Sequence, residues 1–267
     1  MQAKVMRRVI MLSAILTGSA LAGCATPTSK PQAATPAKAQ ACAALLNAGG
    51  WSDPTLRILT AETRPAGAVP DVGQGAKTAP LPPHCEVTGI VHERTGQDGQ
   101  RYAIRFRMRL PDAWNRRFVF QGGGGTNGEI GDAVGPVTGG AVALAPGYAV
   151  ISQDSGHSNA TNADPARGGA VAFGFDAQAR ADYGHASLKA SYDAARAILR
   201  RHYRRDPVHS YFAGCSKGGQ EGMAFAQRYP QSVRRYSCRR AGICAAKGGD
   251  RRGLGYADLC RAGSLAG

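Results

Sequence analysis

Apolar and polar positions along this chain fall into alternating strand-like and helix-like stretches. Cys85–Val91 and Tyr102–Leu110 read as strands, the second with Arg105, Arg107 and Arg109 at every other place on a face expected to be solvated. Arg117–Gln121 is a short β-rich run that enters Gly122–Gly125, and Tyr148–Ser152 is another, followed by Gln153-Asp-Ser-Gly-His-Ser158. Asp182–Tyr203 keeps Leu188, Tyr192, Ala195 and Leu199 on one side, the 3.6-residue period of a helix. Ser210–Ala213 reads as a strand running into Gly214, and Gly218–Tyr229 as a helix. Strands alternating with helices predict an α/β fold, a mostly parallel sheet covered on both faces. No internal repeat is present.

Charge changes this picture little. The formal net charge is +15, but residues 1–40 hold five Lys/Arg and no acids, and residues 233–267 hold eight against two. The middle, 41–232, has 20 against 16, so the excess is expected in the two ends and not on a folded face. That argues against a nucleic-acid partner.

The N-terminus reads as an export signal over residues 1–23. Lys4, Arg7 and Arg8 precede an apolar run, Val9–Ala20, too short to span a bilayer of ~30 Å. Leu21-Ala-Gly-Cys24 then resembles a bacterial lipobox, with Cys24 as the lipidated residue. The expected location is exported, as a periplasmic or outer-membrane lipoprotein or a secreted protein, held to the membrane through lipid on Cys24. Residues 24–40, rich in Ala, Pro, Thr and Gln, read as a disordered tether. Of the remaining cysteines, Cys42 and Cys85 are the natural disulfide pair in an oxidising compartment. No Cys/His spacing suits zinc, so no metal site is expected.

Gly214-Cys-Ser-Lys-Gly218 matches G-x-S-x-G, with a strand before it and a helix after it. That is the setting of a nucleophile elbow, in which a strained turn lifts the serine Oγ clear of the sheet. Ser216 is therefore the candidate nucleophile. The rival reading is a glycine-rich turn whose serine caps the helix. Gly122–Gly125 follows an earlier strand, where a second oxyanion donor is needed. Lys217, Gly123 and Gly124 are the expected backbone donors. The alternatives are a plain turn or a phosphate loop, although Gly125-Thr-Asn127 lacks the lysine of a Walker motif.

Three segments in register, Phe118–Gly128, Gly147–Ser158 and Tyr211–Gly222 with Ala226–Pro230, resemble the tannase/feruloyl esterase family over roughly residues 42–232. The resemblance implies an α/β-hydrolase-like fold and serine-dependent hydrolysis of phenolic esters, hydroxycinnamoyl or galloyl, through an acyl-enzyme. It also implies a disulfide from Cys215 to a cysteine just before the catalytic histidine, and a calcium-binding lid inserted after the nucleophile half.

The chain departs from that pattern in two ways. All six histidines precede Ser216, whereas this fold orders its triad Ser, Asp/Glu, His. His157 is the tempting substitute base, but the resemblance makes it part of a strand-end loop. After Gln231 the sequence also turns abruptly to Arg-, Gly- and Cys-rich composition. Codons for Val233–Ala241 can be chosen so that the next frame encodes Phe-Asp-Gly-Ile-Val-Ala-Gly-Ala-Pro, the family-like continuation, which points to a frameshift near Ser232; the DNA there is the test. The expected organisation is a hydrolase domain over 41–232 and an aberrant, disordered tail over 233–267. The C-terminal strands, the lid and the partner of Cys215 are expected to be missing, the flank of the elbow strand exposed, and no cofactor bound. The expected product is inactive; the alternative is a non-catalytic, membrane-anchored lipoprotein that keeps a binding cleft for the phenolic ester.

Overall fold

The computed structural model describes residues 36–67, 80–135 and 142–233, together with the backbone of 235–239. The expected signal, Cys24, the tether up to residue 35 and the tail from 240 onward lie outside the described residues. Helix α1 (Pro36–Ala43) occupies the last positions assigned to the tether, and Cys42 within it is bonded to Cys85 as anticipated.

Seven strands, β1 (Arg57–Arg64), β2 (His84–Thr95), β3 (Arg101–Pro111), β4 (Arg117–Gln121), β5 (Ala149–Gln153), β6 (His209–Cys215) and β7 (Arg235–Arg239), form one sheet in the order β1-β2-β3-β5-β4-β6-β7. The sheet is mixed. β1, β2, β3 and β5 pair antiparallel, whereas β5, β4, β6 and β7 run parallel. β1 escapes sequence reading because it is an edge strand with mostly exposed residues, so no apolar alternation marks it. At the other edge, the flank of β6 is covered: Tyr211 pairs with Arg235 and Cys215 with Arg239. The first residues of the expected disordered tail are therefore a strand. Backbone hydrogen bonding needs no particular side chain, so an Arg-rich segment can extend the ladder.

Alternation along the central strands divides the core. Phe118 and Phe120 of β4, Ala149 and Ile151 of β5 and Phe212 of β6 face helices α3 (Ser187–Tyr203) and α4 (Lys217–Arg228). There they pack on Leu188, Tyr192, Ile198 and Phe225. Val119, Val150 and Ala213 point the other way and meet Ala133, Val134 and Val142–Leu144. That second face is closed by irregular chain, as the glycines after Asn127 suggest.

The arginine face of β3 is not solvated as expected. Arg105 pairs with buried Asp154 at 2.6 Å and Arg109 is itself buried against Glu86 at 2.8 Å. A charge can enter such a face only with a partner, and period alone does not reveal partners. The predicted helix from Asp182 is also subdivided: a short α2 (Ala177–Ala181) and a π-turn over Asp182–Ala186 lead into α3.

Candidate active site

β4, β5 and β6 lie side by side and parallel, so the segments that leave them emerge at one edge of the sheet. These are Gly122–Gly125, Asp154–Ser158 and the elbow at Ser216, three stretches up to 94 residues apart in sequence. Crevices at the carboxyl ends of parallel strands are the usual ligand sites of such folds.

Ser216 sits at φ 56° and ψ −117° between β6 and α4. A side chain with a Cβ avoids this region, and residues held there cluster at functional sites. The conformation is enforced by contact. A Cβ on Gly214 would lie 2.5 Å from the carbonyl carbon of Gly218, and a Cβ on Gly122 would lie 2.7 Å from the Gly218 Cα. A Cβ on Gly218 would in turn stand 2.9 Å from the Gly123 carbonyl oxygen. Three glycines thus let strand, helix and glycine loop interlock, and the loop is brought against the elbow. Ser216 is exposed, and although it occupies the N-cap position its side chain makes no capping hydrogen bond. The capping role is therefore not the one it plays.

The donors beside it are sorted by their existing partners. Gly122 N–H donates to Ala213 O and Gly123 N–H donates to Glu221 Oε2 at 2.8 Å. Gly123, expected as an oxyanion donor, is thus committed elsewhere, because a buried carboxylate outcompetes solvent for it. Gly124 is exposed, lends its carbonyl to Asn127 N–H, and finds no acceptor for its own N–H among the described residues. Lys217 N–H opens α4, where no upstream carbonyl serves it.

Glu221 is the residue that sequence reading passed over. Its side chain is fully buried one turn into α4. Oε1 accepts from Asn127 Nδ2 at 2.8 Å, Ser155 Oγ at 3.1 Å and Gln153 Nε2 at 3.4 Å, while Oε2 holds Gly123 N–H. One carboxylate thereby fastens the elbow helix to both neighbouring strand-end segments. The available signal was the single acidic residue of α4, four residues after Lys217 and among glycines and apolar positions. Lys217 Nζ lies 4.0 Å from Glu221, donates to Tyr183 O at 2.8 Å and rests over the Tyr183 ring. Burial lowers its pKa, and Glu221 opposes that shift.

His157 lies in the same edge but is unlike a general base. Its ring stacks on Phe173 at 3.9 Å and is 1% exposed, with only the backbone of Ser155 and Thr126 as polar neighbours that favour its protonated form. Burial pulls its pKa down to about 4. Asp154, three residues earlier, is pushed up to about 6 by burial, against the pull of Arg105. His209 starts β6, at the end away from Ser216, and His185 Nδ1 is within 3.1 Å of the Tyr229 hydroxyl. Cys215 carries an exposed thiol beside the serine, without a disulfide partner among the described residues. Among the described residues no group of three His, Cys, Asp or Glu is placed to hold a metal.

The chain is 44% identical over 195 residues to the mono(2-hydroxyethyl) terephthalate hydrolase of Piscinibacter sakaiensis, covering 71% of this chain and 32% of that protein. The feruloyl esterase B of Aspergillus oryzae superposes with a TM-score of 0.60 at 18% identity, over 75% of this chain and 36% of that one. The tannin acyl hydrolase of Aspergillus niger gives 0.55 at 22% identity, over 74% and 35%. At such identities the two structures speak for the fold. The chain spans about a third of the length of these relatives. The model of tannase and feruloyl esterase matches residues 85–234, the stretch that holds the glycine loop, the strand-end segment and the elbow. This chain belongs to the tannase and feruloyl esterase family.

Proposed function

We propose that the chain carries the nucleophile and oxyanion site of a serine carboxylic-ester hydrolase acting on phenolic esters. The observation that supports this most is the interlock of Gly122, Gly214 and Gly218, which sets an exposed, uncapped Ser216 beside a backbone loop with an unused donor. Ser216 Oγ attacks the ester carbonyl carbon and its proton passes to a base. The carbonyl oxygen becomes an oxyanion facing the N–H groups of Lys217 and Gly124, and the alcohol leaves with a proton. Water then adds to the acyl-enzyme and releases the acid. The name of the terephthalate-ester relative favours an aromatic acyl group.

All six histidines of the given sequence precede Ser216, and His157 is stacked on Phe173, so we assign the first proton transfer to none of these imidazoles. Serine hydrolysis without its base retains at most ~10³–10⁴-fold over water. The protein is exported and anchored through Cys24 in this reading; the lipobox pattern and the Cys42–Cys85 disulfide support it. No described helix is long and apolar enough to cross a membrane.

Added imidazole can take the proton of Ser216 in a direct test. Incubated with imidazole and a 4-nitrophenyl hydroxycinnamate, the chain is expected to gain one hydroxycinnamoyl group on Ser216 by intact-mass and peptide analysis, and Ser216→Ala is expected to gain none. Modification elsewhere, or equal in both proteins, overturns the assignment. Tight binding of the ester without acylation favours a binding cleft that does not turn over.

A further inference from the structure

We infer that the edge of the sheet opposite Ser216 is a docking surface for an anionic lipid bilayer. At that edge β4 and β6 begin, with Arg117 paired to His209, and the α3 C-terminus ends beside them. Arg196, Arg200, Arg201, Arg204 and Arg205 crowd the last turns of α3 and the residues after it, and Arg116 joins them through a 2.8 Å bond from Val208 N–H to its carbonyl. The nearby acids are already neutralised: Asp206 is bound by Arg196 and Arg200, and Asp112 by Lys38. Arg117 and Arg201 are also occupied, on Tyr148 and on Gly49 and Trp51.

Arg116, Arg204 and Arg205 remain exposed, with no side-chain hydrogen bond or ion pair among the described residues. Val208, 50% exposed, stands with them. The helix dipole attracts cations to the α3 terminus, yet Arg116 lies on a separate turn and Arg205 beyond the cap. The described chain also enters at this edge, since α1 is fixed there by Lys38 on Asp112 and by Cys42 on Cys85. Unpaired guanidiniums around an apolar side chain suit phosphate headgroups and the interface beneath them. With this edge down, the nucleophile at the far end of β6 faces away from the lipid, roughly 20 Å off at the rise of a strand. The inference holds whether or not Cys24 carries lipid.

Co-sedimentation of the full chain with phosphatidylcholine vesicles, with and without phosphatidylglycerol, tests it. Arg116 and Arg204 have φ of 64° and 57°, a region asparagine tolerates, so Arg116→Asn/Arg204→Asn/Arg205→Gln keeps the fold. Each guanidinium near an anionic surface is worth roughly fivefold, so this variant is expected to bind the anionic vesicles about a hundredfold more weakly. Arg180→Gln/Lys189→Gln/Arg228→Gln removes equal charge elsewhere and is expected to stay within about threefold of the parent. Equal losses in both variants, or no loss in the first, overturn the inference, the latter placing binding in the tails. Duplex oligonucleotide binding lost in the first variant, with vesicle binding kept, makes the partner nucleic acid and overturns it as well.

Discussion

Replacing Glu221 by glutamine exchanges one oxygen for an NH₂ group and tests whether one buried carboxylate assembles the site. Both oxygens now accept, Oε1 from Asn127, Ser155 and Gln153 and Oε2 from Gly123. An amide offers one acceptor and one donor. In either orientation its NH₂ faces a donor, Gly123 N–H or the Asn127 amide, and one buried group is left unpaired. An unsatisfied buried donor costs about 1–3 kcal/mol, and hydrogen bonds to a charged group contribute about 1.5–3 kcal/mol each. The carboxylate's own desolvation, relieved in the variant, offsets part of this. The net loss is expected to be about 2–3 kcal/mol, which for a domain of this size lowers Tm by roughly 4–12 °C. Urea denaturation followed by circular dichroism reads the first quantity and a thermal melt the second. Amide exchange should speed up at Gly123 more than at Gly122, whose bond to Ala213 is untouched. A Glu221→Gln protein within about 0.5 kcal/mol of the parent, with Gly123 equally protected, refutes the reasoning.

Two further outcomes follow from the same edge. Gly214→Ala drives a Cβ into the Gly218 carbonyl, both backbone, and is expected to cost about 3 kcal/mol or more, whereas Gly124→Ala meets nothing within 4 Å and is expected to change stability by under about 0.5 kcal/mol; similar denaturation midpoints would contradict the interlock. His157 and Asp154 should oppose each other in the pH dependence of stability. The histidine falls from 6.5 to about 4 on folding, so the unfolded chain binds more protons and stability rises from about pH 4 to 6.5; Asp154 rises from 3.8 to about 6, so stability falls from about pH 4 to 6. Each contribution is about 3 kcal/mol. His157→Phe, whose ring can keep the stack on Phe173, removes only the first, so between pH 6.5 and pH 4 the variant should lose about 3 kcal/mol less stability than the parent; a difference that is constant with pH refutes the buried neutral imidazole.

Much of the site was legible in the chain because it rests on local geometry. A strand, a G-x-S-x-G turn and a helix are contiguous, and glycine at 214 and 218 announces a close approach before the partner is known. The four-glycine loop was legible for the same reason. Cys42 and Cys85 were paired because a bridge between them ties the start of the domain to its first strand. What stayed hidden was long-range. Glu221 looks like one more polar residue on a helix, and only the parallel arrangement of β4, β5 and β6 gives its oxygens four donors from two distant segments.

The sequence by itself determined the strand–turn–helix at Ser216 and the central strands, since these depend on neighbours in the chain and on the period of apolar side chains. Tertiary structure alone decided that the arginines of β3 are paired, that Gly123 serves Glu221 and leaves Gly124 open, and that His157 is sealed against Phe173. It also decided that residues 235–239 can finish a sheet edge in spite of their composition. Charges and buried hydrogen bonds take their meaning from partners tens of residues away. No local pattern encodes who those partners are.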